Sequence, residues 1–459
     1  MMSKVRFTEK VGYGFGDMAS SMFWKVFSYY LPFFYSNVFG LTLDQVALLL
    51  IVTRVWDAVS DPMMGVIADR TRTRWGKYRP YLLFMAVPFA LCGVLLFTTP
   101  EWGPQAKLIY AYCSYILMMT VYTGINVPYG AMLGVMTDNS SEKTTFSSYR
   151  MFFAYVGSFI VLFVWEPLVE WFGASMTLQG SWQASMTVVA VICVVLFGLT
   201  FALTRERITT RTSGSVMQDM KSLLRNAPFW ILVCAALCSN LFNTLRGSTV
   251  AYFFKDYIPA DSHLVFGGLS VLFYAGLFLS VGEISNMAGV ACAAPLSTRI
   301  GKKNTFFWSM LVLAVLSVAF FFIPVTPAGF LLMVLFQVLI SVFTGIISPL
   351  LWSMYADVAD YSEHRYGSAS TGLIFSSSSM AQKFGGAFGG AMVMWLLAAF
   401  GYQTAEGAVQ TTEALTGLNL LMSIIPACIA LVAMILIRFY PLTPSRMSEI
   451  ESDLKARRG

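Results

Sequence analysis

Long apolar runs separated by short polar loops recur along the whole chain. A helix of about 20 residues crosses a hydrocarbon core, and several runs are longer, so we expect tilt or local breaks in them. Twelve runs can be read, at residues 15–40, 44–68, 80–99, 106–134, 148–169, 182–204, 228–253, 266–298, 304–324, 328–355, 367–400 and 415–437. The pattern predicts an all-α polytopic membrane protein with twelve transmembrane helices.

The longest polar stretch divides the chain near its middle, at residues 205–227. We interpret it as a central cytoplasmic loop between an N-terminal six-helix bundle (1–204) and a C-terminal six-helix bundle with a cytoplasmic tail (228–459). Weak internal repetition supports two halves, because basic loops containing a glycine follow helices 2 and 8. Parallel halves around a central cavity are a common way to build a secondary transporter.

One segment fits the twelve-helix pattern poorly. The apolar stretch that follows Lys255 is longer than one helix needs. We therefore expect residues 263–274 to form an interfacial or re-entrant piece before the true eighth helix. For the same reason the sequence does not place Glu283 in depth.

Composition and charge agree with a membrane protein. Hydrophobic residues make up 57% of the chain and charged residues 12%, which is too apolar for a water-soluble core. With the N-terminus inside, most of the 30 lysines and arginines fall in cytoplasmic loops, and only Lys107 and Lys255 fall outside. We therefore expect a multi-pass protein of the cell (inner or plasma) membrane with both termini cytoplasmic. The net charge of +6 then reflects topology, and we expect no nucleic-acid partner.

Arg54, Asp57 and Asp61 put two carboxylates and a guanidinium into an apolar helix. Their spacing places all three on one helix face. Charges in a span cost about 2.5–3.5 kcal/mol each and usually face a cavity or each other. Asp57 and Asp61 therefore predict a cation site, either as oxygen ligands of Na⁺ or as carriers of a proton. The alternative is a structural salt-bridge cluster in which Arg54 neutralises both carboxylates.

Polar residues on helix 4 are candidates for completing that site. Thr123 and Asn126 precede Pro128 and Gly130, which weaken a helix and can free carbonyl groups inside a cavity. We expect Thr123 in the cation shell and Asn126 in the substrate shell. Ordinary interhelical hydrogen bonding is the alternative.

Cations in other helices are candidates for substrate contact or coupling. Lys383 lies one turn after Ser379 in helix 11, too deep to reach an interface easily, and the glycines that follow would let a helix or a substrate approach the backbone. Lys25 lies one turn after Ser21 in helix 1, and Arg150 opens helix 5. Structural pairing is the alternative for each of these cations. It is the preferred interpretation for Arg246 in helix 7.

The loop between helices 2 and 3 is basic and contains a turn glycine. We interpret Asp69, Arg74, Gly76 and Lys77 as a cytoplasmic gate, in which Asp69 is the acidic partner. Binding of anionic lipid headgroups is the alternative.

Motifs of enzymes are not found in the sequence. Gly14-Phe15-Gly16-Asp17 matches the glycine-aspartate signature of intramembrane aspartyl proteases, but no Tyr-Asp partner motif occurs. His-Glu-x-x-His and Gly-x-Ser-x-Gly are also absent. We therefore expect a protein that is not an enzyme and needs no cofactor.

Several motifs together resemble the glycoside-pentoside-hexuronide:cation symporters, the melibiose permease-like family of the major facilitator superfamily. They are Tyr13-Gly14-Phe15-Gly16-Asp17, Arg54-Val55-Trp56-Asp57-Ala58-Val59-Ser60-Asp61-Pro62, Arg74-Trp75-Gly76-Lys77-Tyr78-Arg79, Asn126-Val127-Pro128-Tyr129-Gly130 and Asp357-Val358-Ala359-Asp360-Tyr361. The resemblance implies the major facilitator fold and uptake of a sugar by alternating access, driven by Na⁺ or H⁺.

The resemblance also implies roles for single residues. Asp57 and Asp61 fall on the cation-site aspartates of the family, and Thr123 falls on its helix 4 cation-site threonine. Arg150 falls on the sugar-contacting arginine of helix 5. Ser379 and Lys383 fall on the helix 11 threonine and lysine. The expected partners are thus a small sugar, a monovalent cation and the lipid bilayer, and we expect a functional monomer.

Two departures from the melibiose permease change the expected substrate. That permease holds its galactoside with aspartates on helices 1 and 4, where this chain has Ser21 and Asn126. Lys25, Arg150 and Lys383 then face the substrate with no acidic partner that the sequence identifies. We therefore predict an anionic glycoside, such as a hexuronide or a sulfated or sulfonated sugar. The alternative function is cation-coupled lysolipid transport by the same fold class.

Overall fold

The computed structural model describes residues 6–137, 140–207, 224–266, 269–366, 371–405 and 407–458, and most of these residues are helical. In chain order the helices are α1 Phe7–Tyr29, α2 Leu31–Phe33, α3 Leu43–Arg70, α4 Arg79–Phe84, α5 Ala86–Leu96, α6 Pro104–Met136, α7 Ser140–Gly173, α8 Leu178–Leu203, α9 Ala227–Tyr252, α10 Ala275–Ile300, α11 Lys302–Phe320, α12 Pro327–Tyr366, α13 Thr371–Ala399, α14 Thr412–Met422, α15 Ile424–Arg438 and α16 Pro444–Arg458. Two short π-helical turns, Phe34–Val38 and Phe253–Tyr257, follow α2 and α9.

Each of the twelve apolar runs of the sequence corresponds to a helical segment in the described residues. Met85 alone separates α4 from α5, and Ser423 alone separates α14 from α15, so each of these pairs forms one span with a local break. Eight helical segments meet the length and composition needed to cross a membrane. α3 is less apolar because it carries Arg54, Asp57 and Asp61. The fold is that of a polytopic helical membrane protein.

Helix ends extend beyond the apolar runs where polar side chains find partners. α1 begins at Phe7, because Glu9 in its first turn pairs with Arg207 at 2.7 Å. α12 continues to Tyr366, past Asp357, whose carboxylate accepts hydrogen bonds from Lys302 at 2.7 and 2.8 Å. The length of the apolar run therefore underestimates the length of each of these two helices.

Where an interfacial or re-entrant piece was expected at 263–274, the described residues form two paired β-strands. Strand β1 (His263–Phe266) pairs antiparallel with β2 (Leu269–Leu272), with His263 opposite Leu272. α10 begins only at Ala275, so the eighth helix starts nine residues later than the apolar run suggests. Glu283 lies within α10 and is buried.

The chain folds into two compact units. The first comprises Met1–Arg211, Ala275–Ser280 and Gln403–Val409, and the second comprises Thr212–Tyr274, Val281–Tyr402 and Gln410–Gly459. In the first unit α1 packs against α7 and α8, and α3 packs against α6. In the second unit α9 packs against α13 and α15, and α11 packs against α12 and α15. Residues 208–223, most of the predicted central loop, lie outside the described residues.

The predicted cytoplasmic tail contains a helix that belongs to the core of the second unit. Met447, Ile450 and Leu454 of α16 are buried in the same apolar cluster as Met354 and Val358 of α12. These three residues are spaced at one helical turn, so they form one apolar face of α16.

Candidate functional site

Three oxygen-bearing side chains converge where α3 packs against α6. The Thr123 hydroxyl lies 2.8 Å from Asp61 Oδ1 and 3.3 Å from Asp57 Oδ1. Since a hydroxyl has one proton, it can donate fully to only one of these carboxylates at a time. The Ser60 hydroxyl lies 3.4 Å from that of Thr123. The structure thus brings together the three residues expected to bind the cation.

Arg54 neutralises part of this cluster. Its Nη1 lies 3.4 Å from Asp57 Oδ2, the carboxylate oxygen that does not face Thr123. Asp57 is fully buried and Arg54 is only 8% exposed, so the ion pair is screened little by solvent. The two oxygens of Asp57 therefore face different partners, one cationic and one in the oxygen cluster.

An aromatic layer connects the cluster with α1. The Arg54 guanidinium lies 4.5 Å from the centre of the Trp24 ring, a cation–π contact. Trp24 stacks on Tyr122, which precedes Thr123, with ring centres 5.7 Å apart. Trp24 of α1 thus contacts Arg54 of α3 and Tyr122 of α6.

The polar residues of α1 lie along a half-buried stripe. Asp17, Ser21, Lys25 and Ser28 recur at three- and four-residue spacing, and each is partly exposed, whereas residues on the other faces of α1 are largely buried. Lys25 Nζ lies 3.3 Å from the Tyr29 hydroxyl, one turn along the helix. On α6, Asn126 is also half-buried, one turn after Thr123. This stripe is a polar face within the first unit.

Arg150 has an acidic partner that the sequence did not identify. Its Nε donates to Asp17 Oδ2 at 3.0 Å and its Nη2 to Asp17 Oδ1 at 3.3 Å. The structure therefore supplies the acidic partner that the sequence analysis did not identify for Arg150. The sequence analysis met Asp17 in a chance protease-like match and in a family motif, without a partner, and helix packing brings the two residues together across 133 positions.

A tyrosine supports this ion pair. The Arg150 guanidinium lies 5.3 Å from the centre of the Tyr129 ring, and the Tyr129 hydroxyl donates to the Tyr13 carbonyl at 2.7 Å. A Cβ on Gly16 would lie 2.5 Å from the Tyr129 ring, so only glycine allows the ring to approach α1 this closely. Asp17 is the next residue, which places its carboxylate beside Arg150.

The predicted residues of helix 11 lie on α13, in the second unit. Ser379 is exposed and Lys383 is half-buried. The glycines after them serve close helix packing, because a Cβ on Gly389 would lie 2.8 Å from Thr244 of α9 and one on Gly385 3.0 Å from Asn240.

Arg246 is anchored inside the second unit. It donates to the Met422 carbonyl, at the break between α14 and α15, and to Gln337 Oε1 at 3.2 Å. Its guanidinium also lies 5.1 Å from the Phe320 ring centre. These contacts favour a structural role for Arg246. Among the described contacts, its hydrogen-bond acceptors are neutral oxygens and not a carboxylate.

The basic loop between α3 and α4 is held by Glu206. The Glu206 carboxylate accepts hydrogen bonds from the backbone N–H groups of Lys77, Tyr78 and Arg79 at 2.7–2.8 Å. Gly76 adopts φ +117°, and a Cβ there would lie 2.6 Å from the Glu206 carboxyl carbon. Glu206 is thus an acidic partner that the sequence analysis missed.

Arg74 and Asp69 are the other two residues of the predicted gate. The Arg74 guanidinium stacks on Trp75, 4.4 Å from the ring centre. The side chain of Asp69 lies outside the described residues. The loop is therefore built around a turn glycine and a carboxylate that follows the end of α8.

Two compact helical units with a carboxylate cluster and a polar stripe within apolar helices are features of a multi-pass transporter. The model of the MFS/sugar transport protein family matches residues 12–444, so the chain belongs to that family of membrane transporters and is not an enzyme. A proposed glycoside/cation symporter of Escherichia coli (strain K12), YagG, is 37% identical over 99% of this chain and 96% of its own length.

Two further comparisons agree. A protein of the same E. coli strain named as a glucuronide carrier protein homolog is 29% identical over 98% of this chain and 95% of its own length. The crystal structure of the nucleoside transporter NupG superposes with a TM-score of 0.66 at 14% identity, covering 94% of this chain and 98% of that one. The last likeness concerns the fold alone.

Proposed function

We propose that this protein is a Na⁺-coupled symporter of a sugar or glycoside that works by alternating access. The observation that carries the proposal is the convergence of Asp57, Asp61 and Thr123 on one point. Two carboxylates on adjacent turns repel each other even when Arg54 pairs with one oxygen of Asp57, and a bound cation or proton would offset that repulsion. A bound cation would remove that repulsion and let α3 and α6 pack closely.

Na⁺ is the ion that this oxygen set favours over H⁺. A proton needs only one carboxylate, whereas a hard cation takes several oxygen ligands. Thr123 supplies a neutral oxygen between the two carboxylates, which a proton site would not require. Proton coupling stays the second candidate, because the same carboxylates can be protonated.

A glycoside is the substrate that the family and the polar stripe support. Serine, asparagine and lysine along α1 and α6 can bond to sugar hydroxyls. The named relatives include a proposed glycoside/cation symporter, so the lysolipid alternative is not favoured. Pairing of Arg150 with Asp17 removes one of three cations on which the expectation of an anionic substrate rested. Ser379 and Lys383 remain candidate contacts from the second unit.

Transport into proteoliposomes tests the proposal. The panel is a neutral galactoside, a xyloside, a glucuronide and a sulfonated hexose, each with an inward Na⁺ gradient at constant pH, a proton gradient, or no gradient. We expect a Na⁺ gradient to drive accumulation of at least one glycoside. Asp57→Asn should abolish accumulation while leaving exchange of the same glycoside, because the site for the ion is lost and that for the sugar is kept.

Thr123→Val tests the contribution of the neutral Thr123 hydroxyl oxygen to Na⁺ binding, because valine keeps the shape of the side chain and removes that oxygen. It should raise the Na⁺ concentration needed for half-maximal uptake by about tenfold, since one of a few ligands is removed. Thr200→Val is the matched control, because Thr200 is equally buried but its hydroxyl bonds the backbone of its own helix at 2.9 Å. If Asp57→Asn accumulates the glycoside as well as the wild type does, the proposed cation site is wrong.

A further inference from the structure

The ion pair between Asp17 and Arg150 is partly exposed, whereas a purely structural pair is usually enclosed by the protein. Its side chains are 15% and 35% exposed, on the polar stripe of α1. The pair between Glu9 and Arg207 at the end of the same helix is 6% and 12% exposed, and its arginine also donates to the Met136 carbonyl. The first pair is open to a solute, and the second is enclosed.

Asp17 leaves part of Arg150 available to a ligand. A guanidinium has five N–H donors in a planar fork. Asp17 engages Nε and one N–H of Nη2, and Tyr129 covers a face of the guanidinium. The Arg150 side chain is 35% exposed, so its guanidinium can also donate to uncharged hydroxyl oxygens while the Asp17 carboxylate balances its charge.

We propose that Asp17 sets the charge of the accepted substrate by acting as an internal counter-ion for Arg150. With Asp17 in place, Arg150 recognises sugar hydroxyls and the site prefers a neutral glycoside. A hexuronide would have to displace the Asp17 carboxylate or bind beside it, and two carboxylates at one guanidinium repel each other. The inference rests on the proposed function and names its substrate class.

The position of Asp17 explains how it can act on the substrate. It lies one helical turn before Ser21, on the same stripe. Gly16 and Tyr129 fix α1 against α6 at this level, so the carboxylate is held in place by the backbone rather than by a flexible loop. Asp17 is therefore a specificity residue whose effect is exerted partly through Arg150.

Competition between two matched ligands tests the inference. The labelled substrate is the glycoside of the panel that the wild type accumulates. The competitors are the neutral glycoside and the hexuronide of the same ring configuration, which differs from it only in a carboxylate on C5. The measured quantity is the ratio of the two half-inhibitory concentrations, which is insensitive to the amount of active protein.

We expect the wild type to favour the neutral glycoside and Asp17→Asn to shift the ratio toward the hexuronide by at least about tenfold, as for the loss of a close charge contact. Asp17→Glu should keep the wild-type ratio, and so should Glu9→Gln, the enclosed control. If Asp17→Asn does not fold, Arg150→Gln is decisive. It leaves the Asp17 carboxylate unbalanced and should shift the ratio further toward the neutral glycoside.

The failures of the two proposals are distinguishable. A wild type that accumulates no glycoside contradicts the proposed function before any variant is compared. A wild type that accumulates only hexuronides overturns the role of Asp17 and leaves symport intact. An unchanged ratio in Asp17→Asn does the same. If Asp17→Asn does not fold, an unchanged ratio in Arg150→Gln has that meaning.

Discussion

Three arginines within the helices of this protein are held in different ways, and the difference decides what each can do. Arg54 shares Asp57 with a cluster of oxygens and stacks on Trp24. Arg150 is bound at two points by a partly exposed aspartate. Arg246 donates to neutral oxygens deep inside the second unit. Only the first two lie next to polar groups that a solute could use.

A structural role for Arg246 predicts a cost in stability rather than in specificity. Arg246→Met leaves the Gln337 amide oxygen and the Met422 carbonyl without their donor, which should lower the free energy of unfolding by about 2 kcal/mol. A double-mutant cycle with Gln337→Leu, measured by thermal unfolding in detergent, should give a coupling of at least about 0.5 kcal/mol. Strict additivity, or a changed substrate preference in a stable Arg246→Met, would contradict this role.

Helices of this fold end where side chains form hydrogen bonds with the backbone groups at the helix ends, and not where the apolar run ends. α3 begins with a capping box, in which Thr42 accepts from the Gln45 backbone and the Gln45 side chain accepts from the Thr42 N–H. At its other end the loop to α4 is closed by Glu206. The second unit has a glycine of positive φ, Gly301, at the corresponding turn between α10 and α11. Both turns therefore use the conformational freedom of glycine.

The turn at Gly76 should be intolerant of any side chain for two reasons. Its φ of +117° strains other residues by about 1–3 kcal/mol, and a Cβ would displace the Glu206 carboxylate. Gly40→Ala is the matched control, because Gly40 has φ +90° but nothing within 4 Å of a Cβ. Thermal unfolding should show a larger loss for Gly76→Ala than for Gly40→Ala. Equal losses would mean that contact with Glu206 adds nothing.

At the scale of the whole molecule, symport requires that the two ligands help each other to bind. If Na⁺ tightens glycoside binding by some factor, the glycoside must tighten Na⁺ binding by the same factor. Trp24 offers a physical connection, since it contacts Arg54 of the cation cluster and precedes Lys25 of the polar stripe. A change at Arg54 can therefore shift the Trp24 ring and with it the α1 backbone that carries Lys25.

Binding measurements on purified protein test this reciprocity. Calorimetric titration of the glycoside with and without Na⁺, and of Na⁺ with and without the glycoside, should give equal factors, of about 5–150 as in other coupled sites. Trp24→Leu should reduce this factor while each ligand still binds alone. An undiminished factor in Trp24→Leu would exclude the ring from the connection.

The sequence determined the properties that depend on local pattern. The apolar runs indicated the membrane helices, and the family motifs indicated the transporter family. The spacing of Asp57 and Asp61 within α3 was enough to identify a candidate cation site, because a charge in a membrane span is costly wherever its partner lies. Thr123 was a candidate from its place on helix 4 and from the family resemblance, and the structure brings it within 2.8 Å of Asp61.

The tertiary structure alone decided which distant residues meet. Asp17 and Arg150 are 133 positions apart, and Glu206 is 129 positions from Lys77. Nothing in the local pattern of either segment specifies the other, since pairing depends on which helix faces pack together. For that reason the sequence identified Lys25 and Arg150 as candidate cations but not the aspartate that pairs with Arg150. The neutral substrate that we propose, in place of the expected anionic one, rests on that one contact.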